Sequence, residues 1–381
     1  MAGLSLTATQ ELAALAATQP PTDPAAPTGP GRLFGPGPAD WWDSERVSCP
    51  KVLRGEDGIW RMWYYGRDAE FDRQILLPTG RVGHAVSADG IHWERVRGPL
   101  TMGCVFEPHE HANRFDSGHV GISDIQYRGG VYWMWYFGGD RTVRDVLGFP
   151  VKGFPLRPGC AVSRDGLHWT RLEGPHQGAL LEVGRPDEFD AVMAAWPQVI
   201  EWPDGSWRMY YHGMDQQQRY TLGWAESADG LRWEKRGPLL GPGARGQFDD
   251  LGVATRHMFR HEEEWVMVYE GCRDIGSRMQ VDRQLGVAVS GDGLEWRRQP
   301  GPNPDGSVLA AATSGTGPAG EPWDIRLGCP HVVRLEDGSL RLYYIGSNER
   351  RGDTELDTIN QIGMATSTGD LLQWTRWEAK T

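Results

Sequence analysis

Short apolar and aromatic stretches, each ended by turn-forming residues, recur along the whole chain and predict β-strands. The stretch WRMWYYG at 60–66 is typical: it is rich in aromatic residues, ends at a glycine and is followed by a second apolar stretch, VGHAVS at 82–87. Aromatic and β-branched residues favour pleated strands, and the Gly- and Asp-containing segments between them favour turns. The pattern therefore predicts an all-β chain.

The same arrangement of stretches occurs five times. Each repeat has an aromatic residue followed by Asp, a first strand, a polar turn, an aromatic strand ending near Gly, a third strand, and an S-x-D-G-like turn before a Trp-bearing fourth strand. The aromatic-Asp pairs are Trp42-Asp43, Phe115-Asp116, Phe189-Asp190, Phe248-Asp249 and Trp323-Asp324. A four-stranded sheet with two apolar faces is not stable alone, and packing five in a ring buries both faces. The repeats predict a five-bladed β-propeller with four antiparallel strands per blade, at about 43–99, 116–174, 190–239, 249–300 and 324–378.

Two recurring motifs receive a structural interpretation because every repeat carries them. In the S-x-D-G turn, Ser and Asp are expected to hydrogen-bond the backbone while Gly supplies a positive φ. The aromatic-Asp carboxylates are expected to cap the incoming loop, although they also surround the mouth of the predicted channel.

Composition sets the compartment and excludes two classes of partner. The formal net charge is −12 with no basic tract, and nucleic acid and anionic membranes both bind clustered Lys and Arg. The five cysteines are an odd number without a CxxC pair, which favours free thiols and a cytoplasmic protein. No stretch is apolar enough to span a membrane. Residues 1–39 are rich in Ala and Pro and resemble no signal peptide, so a mobile segment is expected before a propeller at 40–381.

The predicted strand directions place the long loops on one face of the molecule. Following the strands through each repeat puts the short turns on one face and the aromatic-Asp motifs on the other, together with loops 67–81, 139–157, 214–220, 272–284 and 347–360. The first strand of each repeat is expected to line a central channel. We therefore expect a pocket at the channel mouth on the long-loop face, with 139–157 as a rim or lid.

The succession aromatic-Asp, Pro-x-Val, W-x-M-W-Y-x-G and I-G-x-A-x-S-x-D-G-x-x-W resembles the five-bladed propeller glycosidases, the superfamily of arabinanases, levansucrases and invertases. The resemblance covers about 40–378 and is greatest to uncharacterised members labelled as glycosyl hydrolase family 43 or 32. It implies a carbohydrate ligand and catalytic carboxylates on channel-lining strands. The chain departs from family 43 at two positions. Family 43 has an Asp before the Pro of the first blade, where this chain has Cys49. It has a Glu just before WP in the third blade, where this chain has Ala195. Asp124 is nearly in place for the second-blade carboxylate.

Polar residues at repeat positions that are otherwise apolar or Pro are the candidates for chemistry. Asp124 and Arg256 are aligned with the prolines of the other first strands, and they form either a structural ion pair or a base with an anion-binding guanidinium. Glu270 precedes the terminal Gly of its strand, where most repeats have an apolar residue. Burial there would suit a general acid, and the structural alternative is a salt bridge to Arg273 or Arg256. Asp124 and Glu270 are the candidate catalytic pair.

The remaining candidates are substrate-binding residues near the mouth. They are Glu45, Asp116, His119, Trp196, His212, Arg256, Arg273 and Arg326. Each also has a structural interpretation, such as hydrogen bonding for His119 and core packing for Trp196. His119, His212, His257 and His331 come from four repeats, but they lack metal-ligand spacing. No metal site or cofactor is predicted, and a channel cation such as calcium stays open.

Cys49 and Cys329 hold matching positions in the first and fifth repeats, which would be neighbours in a ring. The two thiols are expected to approach one another at the closure of the ring. The predicted reason is the need for a small buried side chain in a narrow channel.

These observations favour a carbohydrate-active enzyme, a glycoside hydrolase or glycan phosphorylase acting on a small soluble glycoside. Phosphorolysis is supported by Arg256, Arg273 and Arg326, which could bind phosphate. The alternatives are a non-catalytic sugar-binding or scaffold propeller, and a lyase or transferase on the same fold. The sugar, its linkage and the oligomeric state are not predicted.

Overall fold

The structure is a computed structural model that describes residues 30–68, 79–276, 281–312, 322–350 and 358–378. Within these ranges the regular structure is β-strand, apart from one 3₁₀ turn at Thr101–Gly103. The prediction of an all-β chain is confirmed. The described part of the chain contains no helix with the length and hydropathy needed to cross a bilayer.

The first two repeats form separate antiparallel sheets in which neighbours along the chain pair. The first sheet has the order β2 (Arg46–Arg54), β3 (Trp60–Arg67), β4 (Arg81–Ser87) and β5 (Glu94–Val96). The second contains β6 (His119–Arg128), β7 (Val131–Gly139), β10 (Arg157–Ser163) and β11 (Thr170–Leu172). A two-stranded hairpin, β8 (Val143–Val146) and β9 (Phe149–Lys152), is inserted between β7 and β10 and occupies the predicted rim loop 139–157.

The third and fourth repeats share an eight-stranded sheet. The third contributes β12 (Met193–Glu201), β13 (Trp207–Met214), β14 (Tyr220–Ser227) and β15 (Glu234–Leu240). The fourth contributes β16 (Gly252–His261), β17 (Glu264–Asp274), β18 (Val281–Ser290) and β19 (Arg297–Gln299). One parallel pair, Tyr220 with Gly252, joins the two otherwise antiparallel halves.

The fifth repeat is built from both ends of the chain. It contains β20 (Arg326–Arg334), β21 (Leu340–Arg350), β22 (Thr358–Ser367) and β23 (Thr375–Arg376), and β22 also pairs with β1 (Arg32–Phe34). Met364 donates its backbone N–H to the carbonyl of Gly31 at 2.7 Å. Residues 30–39 therefore belong to the fold, unlike the expected mobile segment 1–39, whose residues 1–29 lie outside the described ranges.

The first strands of the five repeats contact one another in a cycle: β2 with β6, β6 with β12, β12 with β16, β16 with β20, and β20 with β2. Each of these strands has a break in register against its partner strand. The breaks interrupt the alternation of side chains, so that additional residues face the region where the first strands meet.

Each aromatic-Asp carboxylate is buried in the same hydrogen-bonded arrangement. Asp43 accepts hydrogen bonds from Tyr64 at 2.9 Å and from Arg95 at 2.8 Å. The equivalent partners are Tyr136 and Arg171 for Asp116, Tyr211 and Lys235 for Asp190, Tyr269 and Arg298 for Asp249, and Tyr344 and Arg376 for Asp324. Because all five repeats build this contact, it ties the incoming loop to the second and fourth strands.

The S-x-D-G turns have the hydrogen bonds that their sequence predicts. Ser87 Oγ accepts from the backbone N–H of Gly90 at 2.9 Å, and Asp89 Oδ1 accepts from those of Ile91 at 2.8 Å and His92 at 2.9 Å. Gly90 has φ +73°, which a residue with a Cβ rarely adopts. The second, third and fourth repeats form the same contacts.

Candidate functional site

A cavity of about 220 Å³ lies where the five first strands meet, and residues of all five repeats line it. The residue before the terminal Gly of each second strand reaches this cavity. These residues are Tyr65, Phe137, His212, Glu270 and Ile345. The position at which the sequence replaces apolar residues with His and Glu is therefore a cavity-lining position.

The Glu270 carboxylate is contacted from three directions, by two hydrogen-bond donors and one guanidinium group. Its Oε2 accepts from the Thr255 hydroxyl and, at 3.0 Å, from the backbone N–H of Cys329, and its Oε1 lies 2.8 Å from Nε of Arg283. Gly328 leaves room for this carboxylate, because a Cβ there would lie 2.5 Å from Oε2. Its ion-pair partner is thus Arg283, and not Arg273 or Arg256, the partners that the sequence suggested.

Trp196 and His212 form a stacked apolar wall of the cavity. Their rings are 4.8 Å apart with an interplanar angle of 16°, and Trp196 also contacts the ring of Phe137 at 4.0 Å. Burial, with Arg256 and Arg283 nearby, holds the pKa of His212 well below its usual value, so the imidazole is neutral. Its Nδ1 has no hydrogen-bond partner among the described residues. Nε1 of Trp196 has no hydrogen-bond partner among the described residues either, so the wall combines flat aromatic faces with two unpartnered nitrogens.

His119 also lines the cavity, and a hydrogen bond selects its tautomer. Its Nδ1 accepts the backbone N–H of Gly80 at 3.2 Å, so the neutral ring carries its proton on Nε2. The ring stacks on Phe137 at 5.7 Å and contacts Tyr65 at 5.6 Å. His119 is thus both hydrogen-bonded and part of the cavity surface.

Three guanidinium groups line the cavity, and the sequence analysis named none of them. Arg46 and Arg67 are paired across β2 and β3 and are both buried, while Arg283 lies beside Glu270. Among the described residues that line the cavity, Glu270 is the one carboxylate. Among the described lining residues, guanidinium groups therefore outnumber carboxylates by three to one, in a protein whose net charge is negative.

A signal for Arg67 was present in the repeat. It follows the terminal glycine Gly66, and the other repeats have Gly139, Met214, Cys272 and Ser347 at that place. Comparing the repeats one residue further along the second strand identifies Arg67 as the charged residue at a position that is uncharged in the other repeats. Arg46 lies opposite Arg67 in the neighbouring strand and follows from the same register.

Asp124 does not line the cavity. The strand register places Asp124 opposite Trp135. This is the level of Lys51, which lies opposite Trp63 in the first repeat. Arg256 lies opposite Tyr269, at a different level. Val120 and Val253 pair with Gly138 and Gly271, the terminal glycines of their second strands. Asp124 is the fourth residue after Val120, whereas Arg256 is the third after Val253, so the alignment of Asp124 with Arg256 in the sequence was wrong by one residue. Arg256 donates instead to the backbone carbonyls of Trp196 and Tyr210.

The residues level with Asp124 connect neighbouring repeats below the cavity. Asp124 is hydrogen-bonded to the backbone of Val199, and Gln198 is hydrogen-bonded to the backbone of Met258. In the same way, His257 is hydrogen-bonded to the backbone of Val332, and His331 to the backbone of Val52. Burial raises the pKa of Asp124 to about 6, opposed by the charge of Lys51. These contacts are those of a structural layer between the first strands.

The other predicted residues lie away from the cavity lining. Glu45 is exposed, and Asp116 is buried in the arrangement shared by the five aromatic-Asp motifs. Arg273 contacts Asp282, and Arg326 lies 3.9 Å from the same carboxylate. Glu270, His119, Trp196 and His212 are the predicted residues that the structure brings together. The described residues contain no group of three or more His, Cys, Asp or Glu side chains placed to hold a metal ion.

The hairpin segment closes part of the rim. Val151 on β9, followed by Phe154 and Leu156, lines the cavity, so the long loop 139–157 contributes an apolar side. Parts of the other predicted long loops, at 69–78, 277–280 and 351–357, lie outside the described residues.

Comparison with known sequences gives two uncharacterised proteins from strains of Mycobacterium tuberculosis. Each is 29% identical over 159 residues, which is 42% of this chain and 44% of the relative. The match thus spans less than half of either protein. No family model matches the chain.

Solved structures define the class of protein to which the fold corresponds. A glycoside hydrolase superposes with a TM-score of 0.63 at 16% identity, covering 92% of this chain and 94% of that one. A structure from the family 130 mannoside phosphorylases, described as including hydrolases of β-1,2-mannosidic linkages in Candida mannan, has a TM-score of 0.58 at 18% identity, covering 90% and 96%. The family 32 β-fructofuranosidase of Bombyx mori, solved with sucrose, has a TM-score of 0.57 at 13% identity, covering 92% and 65%.

The chain therefore has the fold of the glycoside hydrolases of families 43, 32 and 130, which are five-bladed β-propeller families. The resemblance to propeller glycosidases that the repeats indicated is confirmed. At these identities the likeness establishes the fold and leaves the activity to the cavity.

Proposed function

We propose that this protein is a carbohydrate-active enzyme that cleaves a glycosidic bond in the axial cavity of a five-bladed β-propeller with four-stranded blades. The cycle of contacts among β2, β6, β12, β16 and β20 supports the ring. The flat faces of Trp196 and Phe137 suit the apolar face of a sugar ring, and His119 and His212 provide nitrogens for hydroxyl groups. The substrate is a soluble glycoside small enough to enter a cavity of about 220 Å³.

The observation that carries the proposal is the combination, among the described lining residues, of one carboxylate with three guanidinium groups. Hydrolysis normally uses two carboxyl groups on either side of the scissile bond. Phosphorolysis replaces the second carboxylate and its water with phosphate, which is bound well by arginine. The cavity composition therefore favours a glycan phosphorylase, with inorganic phosphate bound by Arg46, Arg67 and Arg283, over a hydrolase.

In this reaction Glu270 is the proton donor to the leaving oxygen. Its carboxylate contacts Arg283, Thr255 and the Cys329 backbone. A phosphate that binds Arg283 competes with Glu270 for the guanidinium and adds negative charge beside the carboxylate, and both changes favour the protonated form. Phosphate then attacks the anomeric carbon while the Glu270 proton passes to the departing oxygen, which leaves a sugar phosphate and a shortened glycoside.

The test is turnover of a panel of fructosides, arabinosides and mannosides, as aryl glycosides and as oligosaccharides, each with and without inorganic phosphate. We expect phosphate-dependent release of a sugar phosphate, with Glu270→Gln slowing turnover by about 10²- to 10⁴-fold. Asp124→Asn is the matched control, because it removes a buried carboxylate outside the cavity, and it is expected to keep most activity. Phosphate-independent turnover would favour hydrolysis, and loss of activity in Asp124→Asn alone would contradict the assignment of Glu270.

A non-catalytic sugar-binding propeller is the second candidate. It is favoured by Cys49 and Ala195, which stand where the propeller glycosidases have carboxylates, and by the three donors that hold Glu270. Calorimetry with the same panel distinguishes the two functions. A binding protein would take up an intact glycoside without turnover and would keep its affinity in Glu270→Gln.

A further inference from the structure

Two cysteine thiols meet in the wall of the cavity where the first and fifth repeats are in contact. Cys49 on β2 and Cys329 on β20 are 280 residues apart in sequence, and their Sγ atoms are 2.9 Å apart. Both side chains are buried, with 4% and 6% exposure, and both line the cavity. The predicted approach of these two residues is thus observed, and small molecules that enter the cavity reach them.

The local backbone turns both thiols toward the same place. Each cysteine precedes a proline at a break in strand register, with a left-handed φ of 50° at Cys49 and 47° at Cys329. Trp196 has the same position before Pro197 in the third repeat, with φ 49°. Because Trp occupies that bulge in the third repeat, the backbone alone does not require Cys at the other two.

The surroundings make Cys49 the more acidic of the two thiols. The hydrogen bond between the two sulfurs lowers the pKa of Cys49, with the charge of Lys51 adding to the effect against desolvation. The same hydrogen bond, with burial, raises the pKa of Cys329 well above its usual value. By contrast, burial raises the pKa of Cys160 to about 12. A thiolate beside a thiol is the arrangement found in reactive dithiols.

We propose that Cys49 and Cys329 are a redox-active dithiol that closes to an intramolecular disulfide when hydrogen peroxide enters the cavity. The Cys49 thiolate attacks one peroxide oxygen, the O–O bond breaks, and the released hydroxide takes up a proton to give water and Cys49 sulfenic acid. The Cys329 thiol then attacks this sulfur, a second water leaves, and the S–S bond forms. Overall, two thiols are oxidised to a disulfide and one peroxide is reduced to two waters.

The disulfide would change the site as well as the ring. It joins β2 and β20 covalently, and it forms on the residue whose backbone N–H holds Glu270 Oε2 at 3.0 Å. A disulfide has an S–S length of about 2.05 Å. Closing the present 2.9 Å separation therefore requires Cys49, Cys329 or both to move, in the wall that contains the Glu270 carboxylate.

The experiment treats the reduced full-length protein with hydrogen peroxide and counts thiols in denaturant. We expect the count to fall from five to three, the intact mass to fall by two hydrogens, and dithiothreitol to restore both. Peptide mapping without reductant should recover a Cys49–Cys329 cross-link. Phenylarsine oxide, which needs two neighbouring thiols, should bind once and block the oxidation.

Single variants keep the test decisive. Cys49→Ala and Cys329→Ala should each abolish the loss of two thiols and the arsenical binding, whereas Cys160→Ala should retain both. If Cys49→Ala or Cys329→Ala fails to fold, the cross-linked peptides of the oxidised wild-type protein decide whether the proposal holds. Five thiols remaining after peroxide, or a cross-link through Cys104, Cys160 or Cys272, would overturn the proposal. Every measurement is made on thiols, so the outcome for the dithiol proposal does not depend on whether the protein turns over a glycoside.

Discussion

At the scale of single residues, Asp124 shows how a shift of one residue in the repeat alignment changes an interpretation. The repeat alignment placed it with the prolines of other first strands, where a carboxylate suggested catalysis. Every first strand has the same kind of break in register, and the strand pairing puts Asp124 level with Lys51, Gln198, His257 and His331 instead. A polar residue at this level reaches the backbone of the next repeat. The sequence contained these residues, but their register depends on non-local strand pairing.

Asp124→Asn should flatten the pH dependence of stability between about pH 4 and pH 6. Burial raises the pKa of this carboxyl to about 6, above the unfolded value of 3.8, so the folded protein binds the extra proton in that interval. The contribution to stability is present below pH 4 and is lost as the pH rises through 6. At about 1.4 kcal/mol per pKa unit it is on the order of 3 kcal/mol.

Urea unfolding at several pH values measures this effect. The difference between wild type and variant should change across pH 4–6 and then stay constant. Asp187→Asn, at an exposed carboxylate, is the control and should follow the wild type. Parallel pH curves for wild type and Asp124→Asn would contradict the raised pKa.

Gly328→Ala should displace the Glu270 side chain while leaving the carboxyl group itself in place in the sequence. The added Cβ would lie 2.5 Å from Oε2, so the carboxylate or β20 must move, at a cost of about 1–3 kcal/mol in unfolding free energy. We also expect weaker binding of phosphate, measured by calorimetry, because Arg283 follows its partner. Gly291→Ala is the matched control, since a Cβ there meets nothing within 4 Å. Equal stability and equal phosphate affinity in the two variants would show that Glu270 has room to spare.

At the scale of elements, the repeats could be recognised in the sequence because contacts between residues close in sequence define them. The S-x-D-G turn fixes a hairpin through hydrogen bonds within a few residues, and the aromatic strands end at glycines that pack against the aromatic-Asp pair. Gly66, for example, lies against Trp42 and Asp43, which leave no space for a Cβ. By contrast, β1 was missed because its partner β22 is at the other end of the chain. Nothing local to Arg32–Phe34 indicates that pairing.

Ser87→Ala should weaken the first of these turns. The buried Ser87 hydroxyl accepts the backbone N–H groups of Asp89 at 3.2 Å and Gly90 at 2.9 Å, and the substitution leaves them without this acceptor. The expected cost is about 1–3 kcal/mol in the free energy of unfolding, measured with urea. The neighbouring exposed Ala88→Ser changes the same atoms in solvent and should be neutral. A neutral Ser87→Ala would show that water replaces the hydroxyl in the turn.

At the scale of the whole molecule, the closure between the fifth and first repeats has the same aromatic packing as the next junction but a different chain connectivity. Phe34 contacts Tyr64 at 4.9 Å and lies under Arg95 at 4.1 Å. Phe106 at the next junction makes the same contacts with Tyr136 at 4.8 Å and Arg171 at 4.1 Å. Packing is thus repeated at both places. At Phe34, however, the pairing with Ile362 joins the two ends of the chain, and no loop holds it.

Phe34→Ala and Phe106→Ala should therefore lose similar equilibrium stability but open in different ways. Both rings are almost fully buried, and each truncation is expected to cost about 3–5 kcal/mol. In Phe34→Ala the terminal strand β1 can detach while the rest stays folded, which exposes the Met364 amide that donates to Gly31. Hydrogen exchange at Met364 should then accelerate at least about tenfold more than in Phe106→Ala, since tenfold corresponds to only about 1.4 kcal/mol. Equal acceleration in both variants would mean that β1 leaves only when the whole ring unfolds, and that closure by the chain ends is no weaker than the continuous junctions.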